Sequence, residues 1–122
     1  MMRQIKESDW KIFRKLHSVA LDRFCGQILM EIERINSDRV KGFHQKYLDI
    51  YKLLHRRDKE MAQIFDGLRR STALTQIAPI KDRGLLTEDE FLRFSQETRD
   101  AVDLMLGARR STGNKRSDPN ET

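Results

Sequence analysis

The sequence contains few of the residues that define the more specialised classes of protein. Among its 122 residues are one cysteine, two prolines and six glycines. A single cysteine excludes a disulfide framework, and the spaced cysteine and histidine sets of structural zinc sites are absent. The low content of glycine and proline excludes collagen-like and low-complexity chains.

Long apolar runs are also missing from the sequence. No stretch approaches the roughly 20 apolar residues that a membrane-spanning helix requires. The first residues, MMRQIKESDWK, lack the apolar segment of a secretory signal peptide. We therefore expect a cytoplasmic protein that does not bind a membrane.

Charge and modest hydrophobicity dominate the composition. Charged residues make up 35% of the chain and hydrophobic residues 38%, with a formal net charge of +5 at pH 7. A chain of this length and composition is typical of one helix-rich domain with a modest core. We predict an all-α protein, with a single helical domain over residues 1–107. Residues 108–122 contain one apolar residue, Ala108, and are predicted to form a flexible basic tail.

The first half of the domain has the apolar spacing of one long helix. Ser8 and Asp9 are typical of a helix start, and Asn36-Ser37-Asp38 is typical of a turn. Between them, apolar residues recur every three or four positions, at Trp10, Phe13, Leu16, Ala20, Phe24, Ile28, Ile32 and Ile35. This spacing predicts a helix of about 42 Å that buries one face.

A second apolar series predicts a second long helix. Its members are Val40, Phe43, Tyr47, Ile50, Leu54, Met61, Ile64 and Leu68. Because no proline occurs between Phe43 and Ala78, we predict one helix of about 54 Å that reaches Pro79 or stops a few residues before it. Gly67 and Ser71-Thr72 are the expected positions of a bend.

The sequence after Pro79 predicts shorter elements. Gly84 is typical of the residue that ends a helix. Thr87 and Glu90 have the spacing of a capping box, which predicts a short helix beginning there. A further short helix is predicted after Ser95 and is expected to end at Gly107.

Two long helices joined by a short polar link predict an antiparallel hairpin, followed by the two short C-terminal helices. Such a hairpin leaves apolar residues of the second helix uncovered. We therefore expect a helical bundle completed by dimerisation, with a monomeric three-helix bundle as the alternative. The expected interface residues are Phe43, Tyr47, Ile50, Tyr51, Leu54, Phe65 and Leu68.

No catalytic motif occurs, whether a nucleophile elbow, a phosphate-binding glycine loop or a dinucleotide fingerprint. We expect a non-enzymatic interaction or adaptor protein without a cofactor, which associates with itself or with a protein partner. A first alternative is a nucleic-acid accessory protein that uses basic residues of the second helix, namely Lys52, Arg56, Lys59, Arg69 and Arg70. A second alternative is a metal-dependent bundle around His44, His55 and Asp58.

Four segments resemble a small family of helical bacterial proteins, mostly from proteobacteria. They are ESDWKIFRKL (7–16), RFC (23–25), RRDKEMAQIFDGLRRSTAL (56–74) and RGLLTEDEFLRFSQETR (83–99). The resemblance covers residue 7 to about 105 and implies a compact intracellular helical protein. Residues 84–91, GLLTEDEF, are also similar to the short C-terminal domain motif, an amphipathic helix associated with oligomerisation, although the lysines that usually follow are replaced by Leu92, Arg93 and Phe94.

Overall fold

The computed structural model describes the backbone of residues 4–121 and the side chains of residues 4–108. Five α-helices and one 3₁₀ turn make up this part of the chain, which contains no β-strand. The predicted all-α fold is confirmed. The elements are α1 (Glu7–Asn36), α2 (Phe43–Phe65), the 3₁₀ turn (Arg70–Thr72), α3 (Ala73–Asp82), α4 (Glu88–Phe91) and α5 (Gln96–Glu121).

Helices α1 and α2 form the predicted antiparallel hairpin. Near the closed end, Lys46 Nζ donates a hydrogen bond to the carbonyl of Asn36 at 2.7 Å. At the other end, His17 Nε2 donates to the carbonyl of Phe65 at 3.0 Å. Residues late in α1 therefore lie beside residues early in α2, as an antiparallel arrangement requires.

The predicted continuous second helix is wrong beyond Phe65. The backbone becomes extended at Asp66 (φ −71°, ψ 153°), and Gly67 adopts a positive φ of 73°. Glycine tolerates this left-handed conformation because it has no Cβ. The carbonyl of Asp66 accepts a hydrogen bond from Gln76 Nε2 at 2.9 Å, which fastens the break to α3. The expected position of the bend at Gly67 is thus correct, but the chain turns there instead of bending within one helix.

Helix α3 continues through Pro79, where the sequence predicted the end of a helix. A proline inside a helix removes one backbone hydrogen bond. Here Ile77, Ala78 and Ile80 are all at most 2% exposed, so burial of their side chains offsets that loss.

The end of α3 confirms the predicted glycine stop. Gly84 has a φ of 74°, the Gly84 amide donates to the Lys81 carbonyl at 2.9 Å, and the Leu85 amide donates to the Ile80 carbonyl at 3.1 Å. This pair of bonds is a Schellman motif. Leu85 and Ile80 are both 0% exposed, which gives the motif its usual hydrophobic contact.

We expect opposite effects from alanine at two glycines. Gly84→Ala places a Cβ at positive φ and should lower the free energy of unfolding by about 1 kcal/mol. Gly26→Ala should raise it by up to about 1 kcal/mol, because Gly26 lies inside α1 and an added Cβ meets nothing within 4 Å. Urea denaturation measures the free energy of unfolding of each variant. A Gly84→Ala variant that is more stable than the wild type would contradict the Schellman geometry.

The C-terminal elements differ from prediction in length. The capping box is confirmed, because Thr87 Oγ1 accepts from the Glu90 amide and the Glu90 carboxylate accepts from the Thr87 amide. Helix α4 has only four residues, so the segment similar to the short C-terminal domain motif does not form an amphipathic helix. Helix α5 does not end at Gly107. The predicted flexible tail covers residues 108–122, and the side chains beyond residue 108 lie outside the part of the chain that the structure describes. The mobility of the tail stays a prediction.

One hydrophobic core holds the described elements together. It lies where one face of α1 meets α3, α4, α5 and the last turn of α2. The most completely enclosed large side chains are each less than 2% exposed, and they are Phe13, Phe24, Ile77, Ile80, Leu85, Phe94, Val102 and Leu106.

Candidate functional site

The closed end of the hairpin extends beyond this core. The last buried residue of α1 is Ile28, and the first buried residue of α2 is Leu53. No residue between them is buried. We call residues 29–52 the arm. Because the arm contains two helices and a loop but no core of its own, it is the part of the described chain best placed to contact another molecule.

Helix α2 presents a continuous apolar surface that runs along the arm and ends just beyond it. Phe43, Tyr47, Tyr51 and Leu54 are spaced by four, four and three residues, which places them on one face of a helix. They are 88%, 66%, 61% and 41% exposed, respectively. We call these four residues the apolar face. Exposed aromatic residues grouped in this way are typical of protein-binding surfaces.

The remaining predicted interface residues have different environments. Ile50 is half-buried, and Leu68 is 38% exposed in the segment between α2 and the 3₁₀ turn. Phe65 is only 5% exposed and packs against Phe24, with 5.7 Å between the ring centroids. Phe65 therefore belongs to the core of its own chain and is unavailable for an interface.

The histidines of α2 do not converge within one chain. His44 and His55 are exposed, and their separation of three helical turns corresponds to about 16 Å along the axis. His55 stacks on Tyr51, with ring centroids 6.3 Å apart and planes at 6°. Among the described residues, no group of three or more candidate ligands could hold a metal ion. A metal site at His44 or at His55 with Asp58 would need ligands from a second chain.

Of the basic residues named in the nucleic-acid alternative, Lys52, Arg56 and Lys59 lie on one face of α2, whereas Arg69 and Arg70 follow the break after Phe65. Arg70 is held by the N-terminal segment, because its Nε donates to the Ile5 carbonyl at 2.8 Å and its guanidinium pairs with Glu7 at 3.2 Å. Lys52 and Arg56 line a groove on the arm. The other two, Lys59 and Arg69, are exposed outside that groove.

A buried carboxylate that the sequence did not reveal fixes the start of α5. Asp9 is 1% exposed and accepts hydrogen bonds from the Ser95 amide at 2.9 Å, Ser95 Oγ at 2.6 Å and Thr98 Oγ1 at 2.7 Å. Burial alone would raise the pKa of Asp9, but the hydrogen bonds from Ser95 and Thr98 and the nearby Lys6 outweigh it and lower that pKa. Asp9 therefore remains ionised and holds Ser95, 86 residues away in sequence, at the start of α5, where Ser95 Oγ accepts from the Thr98 amide at 3.4 Å.

A second carboxylate joins α4 to α1. Arg23 donates from both terminal nitrogens to the two oxygens of Glu90, at 2.6 and 2.8 Å, and also to the carbonyl of Leu85 at 2.9 Å. The hydrogen bonds from Arg23 are the main reason that the pKa of Glu90 falls to about 2. These two contacts hold the C-terminal elements on α1.

Comparisons with known proteins give no further constraint on this site. No protein-family model, curated protein or solved structure matches the chain. Within the described residues, no helix is both long enough and apolar enough to cross a membrane.

Proposed function

We propose that this protein is a non-enzymatic helical interaction protein that self-associates through the apolar face of α2. The observation that carries the proposal is the exposure of Phe43, Tyr47 and Tyr51 on an arm without buried residues. In the single chain the two helices of the arm pack against each other and leave these aromatic side chains in water. A second pair of helices packed on the arm supplies the burial that it lacks.

The sequence of the arm favours a second copy as the partner. Residues 46–52, KYLDIYK, have the same residue classes in both directions around Asp49. If two α2 helices pack antiparallel about a two-fold axis near Asp49, Tyr47 of one copy lies against Tyr51 of the other. A two-fold interface uses the same patch on both chains, and aromatic pairs of this kind contribute about 0.5–1.5 kcal/mol beyond the area they bury.

The size of the surface is also compatible with self-association. Phe43, Tyr47 and Tyr51 together can bury on the order of 400 Å² per copy, given their exposed fractions. A stable interface buries roughly 800 Å² per partner. The remainder would come from Leu54, which is 41% exposed, and from other exposed apolar residues of the hairpin such as Leu29 and Val40, which are 64% and 93% exposed. Two arms joined in this way form a four-helix bundle.

We also propose that the protein is cytoplasmic. A single cysteine leaves the fold independent of disulfide formation, which suits the reducing cytoplasm. We place the chain with the small helical bacterial proteins that it resembles. Oligomerisation through residues 84–91 is not part of the proposal, because α4 is too short to offer an amphipathic surface.

We expect the double substitution Tyr47→Lys with Tyr51→Lys to convert a dimer into a monomer. Each copy would place two charges in the interface, and removing central aromatic residues raises Kd by at least about a hundredfold. Sedimentation equilibrium should give twice the 14.5 kDa chain mass for the wild type and 14.5 kDa for the variant. The variant should keep the helical far-ultraviolet circular dichroism signal of the wild type, because both tyrosines are exposed in the single chain.

Leu104→Lys is the matched control for this experiment. Leu104 is 75% exposed on α5, away from the arm, so its replacement should leave the dimer mass unchanged. A wild-type protein that stays monomeric at all accessible concentrations would overturn the proposal. So would a variant that keeps the wild-type mass.

A further inference from the structure

A groove of about 430 Å³ lies between the last turns of α1, the connecting loop and α2, and it extends from the arm to Arg56, one turn beyond it. Arg34 lies on the α1 wall, whereas Lys52 and Arg56 lie on the α2 wall. None of the four residues of the apolar face lines it. The groove is therefore a surface of the arm separate from the proposed dimer contact.

Each acidic residue that lines the groove already has a partner. Glu31 accepts from the guanidinium of Arg57 at 2.7 Å. Asp49 accepts from Lys41 Nζ at 2.7 Å and from Gln45 at 2.8 Å, and these bonds hold the pKa of Asp49 below its ordinary value.

Asp38 is also satisfied locally. Its Oδ1 accepts from the backbone amides of Val40 at 2.7 Å and Lys41 at 3.2 Å, which holds the pKa of Asp38 below its ordinary value. The three carboxylates of the groove therefore all accept hydrogen bonds from groups of the same chain.

Three basic residues of the groove lack such partners. Arg34, Lys52 and Arg56 are exposed, and among the described residues none of them makes a hydrogen bond or a close ion pair. At longer range Lys52 interacts electrostatically with Asp49, and Arg56 with Glu60. Lys52 and Arg56 are four residues apart and so share one face of α2, while Arg34 faces the groove from α1. Cations whose hydrogen-bond donors are free, placed on two walls of one groove, create a concave surface that favours an anion with several charges.

The chemistry of the side chains narrows the class of anion. Guanidinium groups bind phosphate oxygens through paired hydrogen bonds, and lysine adds a compact positive charge. The volume lies within the range of small-molecule sites, about 300–1,000 Å³. No aromatic side chain lines the groove for stacking on a nucleobase. We propose that this groove binds a small phosphate-rich anion, of the pyrophosphate class, through Arg34, Lys52 and Arg56.

Titration calorimetry with pyrophosphate tests this site. The wild type should bind one pyrophosphate per chain with saturation, and binding should weaken as salt is added. The double variant Lys52→Gln with Arg56→Gln should bind at least about tenfold more weakly, since each lost charge-assisted hydrogen bond is worth about 1.5–3 kcal/mol. Lys59→Gln is the matched control, because Lys59 is an exposed cation of α2 outside the groove. The affinity of this variant for pyrophosphate should stay within about twofold of that of the wild type.

Three results would overturn the inference. The first is the absence of saturable pyrophosphate binding by the wild type. The second is an equal loss of affinity in Lys59→Gln, which would indicate a response to net charge alone. The third is tighter binding of single-stranded RNA than of pyrophosphate, which would assign the groove to nucleic acid. The inference does not rest on self-association, and the mass of the double variant measured by sedimentation keeps the two questions apart.

Discussion

Replacing Glu90 with glutamine should lower the free energy of unfolding at pH 7 by about 2 kcal/mol. A shift of the Glu90 pKa from 4.5 to about 2 corresponds to about 3 kcal/mol of stabilisation at pH 7. The side chain of Glu90 is 11% exposed but that of Arg23 is 36% exposed, and solvent screening at Arg23 reduces the expected effect. Glutamine can still accept the hydrogen bond from the Thr87 amide, so the loss reports on the pair with Arg23.

The same substitution should change the response to acid. Because the pKa of Glu90 is lower in the folded protein than in the unfolded chain, its contribution is complete above about pH 4.5. It is lost as the pH falls from 4.5 towards 2. The difference in stability between the wild type and Glu90→Gln should therefore shrink towards zero over this interval, since the variant has no carboxylate to protonate at position 90.

Urea denaturation at pH 7, at about pH 4.5 and at about pH 2.5 measures this difference. Glu88→Gln is the control, because Glu88 is an exposed carboxylate in the same short helix. The control should change stability by no more than about 0.5 kcal/mol. A Glu90→Gln effect that is independent of pH would show that the loss comes from packing and not from the ion pair with Arg23.

Asp9→Asn should be the more damaging substitution, with a loss of about 3 kcal/mol. The amide group is uncharged, and it places a donor nitrogen where one carboxylate oxygen now accepts from Ser95 and Thr98. Each hydrogen bond to a charged group is worth about 1.5–3 kcal/mol, and Asp9 is almost fully buried. The start of α5 would then lose its main polar attachment to α1.

Hydrogen exchange separates this local effect from general destabilisation. The amides of the first turns of α5 should lose more protection than those in the middle of α1. Asp22→Asn provides the control on the same helix, since Asp22 is exposed, and it should change the free energy of unfolding by no more than about 0.5 kcal/mol. Equal losses in Asp9→Asn and Asp22→Asn would contradict a role for Asp9 in holding the start of α5.

Much of the helical framework could be predicted from local signals. The apolar spacing of α1 placed its ends within one or two residues, and the signals at Gly84 and Thr87–Glu90 located a helix end and a helix start. The prediction failed where local and tertiary preferences conflict. The apolar spacing of α2 continues past Phe65, so it predicts a longer helix, whereas the break at Asp66 and Gly67 allows α3 to fold onto the core.

The apolar spacing predicted only some of the residues of the candidate site. Periodicity placed Tyr47, Tyr51 and Phe65 near one another around α2, but it does not distinguish a face covered by the same chain from an open one. In the structure, Phe65 meets Phe24 in the core, whereas Tyr47 and Tyr51 stay exposed. The groove could not be predicted at all, because Arg34 reaches it from a different helix than Lys52.

The sequence by itself determined the class of fold, the hairpin and the local start and stop signals, because these depend on contacts between residues a few positions apart. Only the tertiary structure decided which apolar residues are enclosed and which charges are paired. The partners Asp9 and Ser95, or Arg23 and Glu90, are 86 and 67 residues apart in the chain, and the sequence carries no spacing rule for such pairs. Those contacts hold the C-terminal elements against α1 at Asp9 and Arg23, both of which precede the arm in sequence.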